Sequence, residues 1–271
     1  MARPYIEFVQ TQNVDWQTQT DGIAFKRLNG DAQSGEETMI VRYPPGFSRS
    51  DLGLEDRAEE ILVLDGSIVI NGTTHGYHGY RFTPRGESAG ARSTEEGATL
   101  LIFRYGRDDP NSVSGVSEAV MVDPMTVPWD MAPSDGRIAH LRLARKVLRL
   151  GPNDSSRTFL LIGLPHGMPP AEAMPAEIHD HFEEMFMLQG EMGTPEGKIR
   201  PGAYFYRPAG IEHGPHVSLG GFFQIMRAGA NYVRTDWTDP RPLPIGAPYK
   251  PAIPEGTPDS WSKVYGGGEP Y

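Results

Sequence analysis

Residues Leu54–Gly66, LEDRAEEILVLDG, return 124 positions later as IHDHFEEMFMLQG over Ile178–Gly190. A second pair of blocks, TPRGESAG (Thr83–Gly90) and RPAGIEHG (Arg207–Gly214), keeps the same offset. Each copy therefore sets the same spacing between its glycine (Gly66, Gly190) and its proline (Pro84, Pro208). The leaders echo each other too: NVDWQTQTDGIAFKRL (Asn13–Leu28) and TVPWDMAPSDGRIAHLRL (Thr126–Leu143) each carry a Trp, then Asp-Gly, then an alternating run. Separate blocks held in one register mark a duplicated structural unit. The repeat predicts an N-terminal domain over 1–118, a C-terminal domain over 119–237, and a Pro-rich tail over 238–271. The tail reads as an extended arm on a surface or as a disordered end.

Both copies consist of short runs rich in Val, Ile, Leu, Phe and Tyr, such as TMIVRYP, TLLIFRYG, TFLLIGLP and GFFQIMRAG. Gly (32) and Pro (25) punctuate them, which suits strands and tight turns and breaks helices. Runs of this length and spacing predict an all-β chain, each half an antiparallel sandwich or barrel. ARKVLRL, the one stretch with helical periodicity, fits a strand equally well.

The charge balance narrows the partners. With 35 acidic residues against 25 Lys and Arg, the formal charge is −10, and no basic run offers a footing for nucleic acid or an anionic membrane. The absence of cysteine removes disulfides, thiolate metal sites and cysteine nucleophiles. The N-terminal residues lack the apolar core of a signal peptide and no run reaches the length of a membrane span, so a cytoplasmic location is the expectation.

The ionisable cluster HDHFEE (His179–Glu184) then stands out at the head of an apolar run. On a strand, i and i+2 share a face, so His179 and His181 point together, joined by Glu183 if the strand runs on. Some thirty residues later, Pro208-Ala209-Gly210 forms a turn that returns His213 to a neighbouring strand. Three imidazoles and a carboxylate suit Fe(II), Mn, Zn, Ni or Co. The first copy acts as an internal control. Glu55, Arg57 and Ala89 replace His179, His181 and His213 there, while the apolar and glycine framework persists. Joint loss predicts one metal per chain, in the second copy, with Glu55 and Arg57 paired in the first.

These residues resemble the cupin family, whose two motifs run G-x5-H-x-H-x3-4-E-x6-G and G-x5-P-x-G-x2-H-x3-N. The second motif matches from Gly202 through Pro208 and Gly210 to His213, with Val217 in place of the final Asn. In the first motif Ala173 replaces the leading Gly, and Phe182 alone separates His181 from Glu183. The resemblance spans both copies and implies a bicupin, two tandem jelly-roll-like barrels, with metal ligands His179, His181, Glu183 and His213. The shortened spacing leaves Glu184 as the alternative carboxylate. Replacing whichever of the two is not the ligand is expected to cost only what an exposed strand residue costs, roughly 0.5 kcal/mol.

His216, Gln224 and Tyr204 complete the candidate catalytic set, on segments expected to line the second barrel. Met185 and Met187 read as packing, and His75, His78, His140 and His166 as surface or structural. Phe186, Phe205 and Phe222 suggest an apolar, aromatic wall and hence a small organic substrate. The resulting expectation is an Fe(II) dioxygenase-type oxidoreductase, acting on a small molecule as a homodimer. A lyase, isomerase or hydrolase using Zn, Mn or Ni is the second reading, and a non-catalytic sensing module the third.

Overall fold

The computed structural model describes residues 3–50, 53, 56–113, 115, 118–166, 172–232, 234–265 and 270–271. Among them the secondary structure is strand with a few short 3-10 turns, as the run lengths predict, and no helix is long and apolar enough to cross a membrane. The chain forms two compact units. One comprises Asp15–Val127 with Gly151–Ser155; the other comprises Pro4–Val14, Pro128–Leu150 and Ser156–Tyr271. The first strand, β1 (Ile6–Gln10), thus belongs to the second unit.

In the first unit, β2 (Ala24–Gly30), β3 (Glu37–Tyr43), β4 (Glu59–Gly66), β5 (Tyr80–Thr83) and β6 (Ala98–Arg104) form an antiparallel sheet in the order β5-β4-β6-β3-β2. The second unit repeats that order. Its strands β7 (Leu143–Leu150), β8 (Arg157–Gly163), β9 (Ala173–His179), β10 (Glu183–Gly190), β11 (Ala203–Arg207) and β12 (Phe222–Ala228) give a sheet β11-β10-β12-β8-β7. The strand β1 is added at the β11 edge. Strand β9 stands apart and pairs with β13 (Thr235–Pro242), which carries the start of the Pro-rich tail. Further along, Ala252 bridges Glu7 on β1, and the Lys250 N–H donates to the Glu196 carbonyl at 2.8 Å. The tail is therefore an arm laid along the second unit.

The duplicated glycines have a steric cause. Gly66 and Gly190 adopt φ of 69° and 73°, and a Cβ on either would lie 2.2 Å from the carbonyl oxygen of Gly97 or Gly221. Only glycine fits so close to a neighbouring backbone with positive φ. Inside each unit the strand faces alternate as the period of two demands. Met185, Met187, Phe205, Phe222, Met226 and Phe8 share the core of the second unit; Ile61, Val63, Leu100 and Ile102 share that of the first. Met185 and Met187 are fully buried packing residues, as expected.

Candidate metal centre

Strand β9 ends at His179 and β10 begins at Glu183, so the strand does not run on through the cluster. Asp180–Phe182 form a bend that carries the chain from the β9–β13 pair into the main sheet. Phe182 anchors this bend. Its ring packs on Tyr206 (centroids 5.7 Å apart), and its carbonyl accepts from the Gly229 N–H at 3.0 Å. A Cβ on Gly229 would come within 2.7 Å of the Phe182 ring, which explains the glycine there.

The bend brings His179 and Glu183 face to face from two sheets, with Nε2 of His179 3.5 Å from Oε1 of Glu183. His213 arrives from the far side. The turn at Gly210 (φ 82°) donates its N–H to the His179 carbonyl at 2.8 Å, and His213 and Glu177 exchange backbone hydrogen bonds at 2.9 and 3.0 Å. His213 Nε2 then lies 3.3 Å from Oε2 of Glu183. The ligand atoms of His179, Glu183 and His213 all lie within 4.8 Å of one another.

The imidazoles share one device. Nδ1 of His179 donates to the Arg234 carbonyl at 3.0 Å, Nδ1 of His213 to the Ile211 carbonyl at 3.0 Å, and Nδ1 of His181 to the Asp180 carboxylate at 2.9 Å. Each acceptor fixes a tautomer with a bare Nε2, which is how a metal-ligating histidine is held. His181 stacks beside His179 with ring centroids 5.4 Å apart, outside the three-way convergence. Its Nε2 is buried and has no hydrogen-bond partner. A buried nitrogen left bare beside two others and a carboxylate fits a divalent transition metal. Asp180→Ala is expected to lower metal affinity tenfold or more, read by titration against a competing chelator.

Strand alternation separates the two glutamates. Glu183 shares the interior face with Met185 and lies opposite Arg207 and Ala228. Glu184 points to the other face, where it is fully buried. Its carboxylate accepts from Arg227 Nη1 at 2.6 Å and from the Tyr204 hydroxyl at 2.6 Å. Two sequence expectations change as a result. Glu184 is no exposed strand residue, and Tyr204 belongs to its network rather than to the cavity. Phe186 faces the same way as Glu184 and also leaves the expected aromatic wall, its ring 6.2 Å from that of Tyr271.

The cluster opens into a cavity of about 250 Å³ inside the second unit. His216 and Gln224 both line it, with Phe205 and Phe222. His216 is oriented through its backbone, whose carbonyl accepts from His140 Nε2 at 3.0 Å. Burial, then Arg207, push the His216 imidazole down to about 3 and hold His213 well below its ordinary range, so both are neutral donors at physiological pH. Gln224 presents a buried side-chain oxygen with no partner. His140 and His166 are structural, the latter accepting the Ser218 N–H at 2.8 Å.

Sequence reasoning missed four contributors. Glu177 comes within 4.8 Å of His213 and His216, and burial followed by the Glu183 charge pushes it up to about 7. Glu7, on β1, accepts from Arg207 Nη2 at 2.6 Å and from Arg207 Nε, and Arg207 Nη1 sits 3.3 Å from Glu183. Arg157 and Arg145 also line the cavity, so its wall is less apolar than its aromatic residues suggested.

The first unit lines its corresponding cavity with paired charges. Glu59, the counterpart of Glu183, accepts from Arg92 at 2.8 Å and Arg104 at 2.9 Å, and Arg104 also reaches Glu37 at 3.0 Å. Glu55 lies outside the described residues, so its expected pairing with Arg57 has no structural counterpart here. Arg57 lies 3.3 Å from Asp56 and 3.8 Å from Glu37.

The solved structures this fold resembles include a candidate dioxygenase from Nostoc punctiforme PCC 73102. It has a TM-score of 0.73 and 20% identity, over 88% of this chain and 92% of that one. Protein Ylba from E. coli matches at 0.61 and 13%, over 84% and 92%. A variant of the Bacillus subtilis oxalate decarboxylase matches at 0.52 and 13%, over 85% and 78%. At such identities the likeness is one of fold. No curated protein matches the sequence significantly. The family described as "ChrR Cupin-like domain" matches twice, over residues 6–106 and 117–230, once in each copy of the repeat. The chain is a tandem cupin and belongs to the ChrR cupin-like family.

Proposed function

We propose that the chain is a metal-dependent enzyme of the dioxygenase type, acting on a small organic molecule in the second barrel. The observation that carries this reading is the convergence of His179, His213 and Glu183 at the wall of a cavity, with His181 stacked beside His179 and all three imidazoles held at Nδ1. His179, His181, Glu183 and His213 would hold one divalent ion, Fe(II) by preference. Such an ion supplies redox chemistry with O₂ or Lewis-acid polarisation of an oxygen. The chain's own groups do the rest. Phe205, Phe222 and Met226 exclude water around the substrate, Gln224 offers a hydrogen-bonding oxygen, and neutral His216 offers its buried, unpartnered Nδ1 for a hydrogen bond. Arg207, gripped by Glu7, orients Glu183.

A non-redox lyase, isomerase or hydrolase using Zn, Mn or Ni is the second reading, favoured by Glu177. A second buried carboxyl beside His213 and His216 is a ready general acid or base. One experiment separates them. Protein purified without chelator or histidine tag is expected to hold one metal per chain, iron predominating, and to consume oxygen with a member of a diketone and catechol panel. Turnover of the same compounds without oxygen would establish the second reading. A protein that binds metal and ligands but turns over nothing would be a sensing module.

A further inference from the structure

The two barrels place equivalent residues in one row across their sheets, and the rows share only their glutamate. In the first unit the register sets Thr83, Glu59, Arg104 and Glu37 side by side on β5, β4, β6 and β3. The corresponding row in the second unit, on β11, β10, β12 and β8, is Arg207, Glu183, Ala228 and Arg157. Arg104 bridges Glu59 and Glu37, so the first row is neutralised from within. In the second row an alanine methyl stands where the guanidinium stood, between Glu183 and Arg157, whose Cα atoms are two strand spacings, about 10 Å, apart.

Arg157 is the unusual member. Its guanidinium lies over the Phe159 ring at 4.5 Å and lines the cavity. Among the described residues its side chain makes no hydrogen bond or ion pair, and its Nε is buried and bare. The cavity's other arginines are engaged, Arg207 by Glu7 and Arg145 by Ser134 at 3.4 Å and Asp130 at 4.0 Å. A guanidinium stays charged at any physiological pH, so burying one without an anion is costly unless a ligand supplies that anion.

We propose that Arg157 anchors a carboxylate of the substrate in the cavity it shares with His179, Glu183 and His213; this deepens, and rests on, the reading of the cavity as the substrate site. One unpaired guanidinium matches a monoanion, and its planar fork matches a carboxylate bidentately. A phosphate dianion would bring a second charge into a cavity already lined by Glu177, Glu183 and Asp135. Phe159, Leu161 and Phe222 supply an apolar wall for the remainder. The substrate class is therefore a monocarboxylate with an apolar, aromatic or branched body.

Benzoate and its uncharged isostere benzamide test this on the full chain by isothermal titration, with metal content measured on the same samples. The wild type is expected to favour benzoate at least tenfold. Arg157→Met should abolish the preference with metal content unchanged. Arg157→Lys, which keeps the charge and loses the planar fork, should retain part of the preference, which guards against misfolding of the first variant; thermal unfolding checks both. Equal affinities in the wild type, a preference that survives Arg157→Met, or tighter binding of inorganic phosphate at the same site would overturn the proposal. Stripping the metal distinguishes the two readings. A preference that persists and depends on Arg157 supports the anchor even if the enzyme reading fails, whereas one that vanishes with the metal and ignores Arg157 assigns the carboxylate to the metal.

Discussion

Glu183→Gln is expected to strip metal from the protein, while Glu184→Gln keeps the metal and loses stability. The two residues are adjacent, yet strand alternation sends them to opposite faces. Glu183 meets His179 and His213 at 3.5 and 3.3 Å, so an amide in its place removes the anionic donor from the set. The metal-dependent gain in thermal stability should disappear with it, because only binding to the folded state produces that gain. Glu184 is fully buried and holds Arg227 and Tyr204. Breaking a buried ion pair on one side leaves a charge without its counterion, at a cost of about 3–5 kcal/mol. Metal analysis and denaturant unfolding at neutral pH, run on both variants, read the two effects separately. Metal loss confined to Glu184→Gln would reverse the assignment.

The fold was legible because a duplication is visible without any neighbour to compare. The two copies keep their glycines, prolines and apolar runs where the shared strand order needs them, so register alone announced two barrels. The histidine–glutamate cluster was legible because imidazoles are rare and their spacing is local. Glu183 could be read by counting back from Gly190, although the strand that was to carry it breaks at Asp180–Phe182. The contributors that stayed hidden reach the site through tertiary contact. Glu7 arrives on a strand borrowed from the other end of the chain, and Glu177 through a backbone bridge to His213. Strand alternation hid the fate of Tyr204, since the turn after Gly202 decides which face Tyr204 and Phe205 take. One signal was present and unread: in ATLLIFRY (Ala98–Tyr105) against FFQIMRAG (Phe222–Gly229) the offset of 124 sets Arg104 against Ala228. That exchange removes an arginine partner from the glutamate of the second barrel.

Glu59→Gln is expected to destabilise the first barrel by about 3–5 kcal/mol and leave metal binding in the second untouched. Glu59 is 1% exposed and accepts from both Arg92 and Arg104. Burial alone would raise its carboxyl, but Arg92 and then Arg104 outweigh burial and hold it at about 2. An unfolded chain returns the group to about 4.3. Because the folded value lies below the unfolded one, the stabilisation is complete above pH 5 and is lost as pH falls from about 4 toward 2. Urea unfolding at pH 7 should therefore show the full difference between wild type and variant, and the difference should shrink as the pH approaches 2.5. A difference independent of pH over that range would show that Glu59 contributes through packing rather than charge. Part of the loss should be recoverable. Replacing Glu59, Arg92 and Arg104 together by Leu, Met and Met exchanges a buried ionic cluster for apolar contact, and such exchanges are often neutral or stabilising. The carboxylate shared by the two barrels thus has separate tasks: in the first it neutralises Arg92 and Arg104, and in the second, where His216 and Ala228 take their places, it faces His179 and His213.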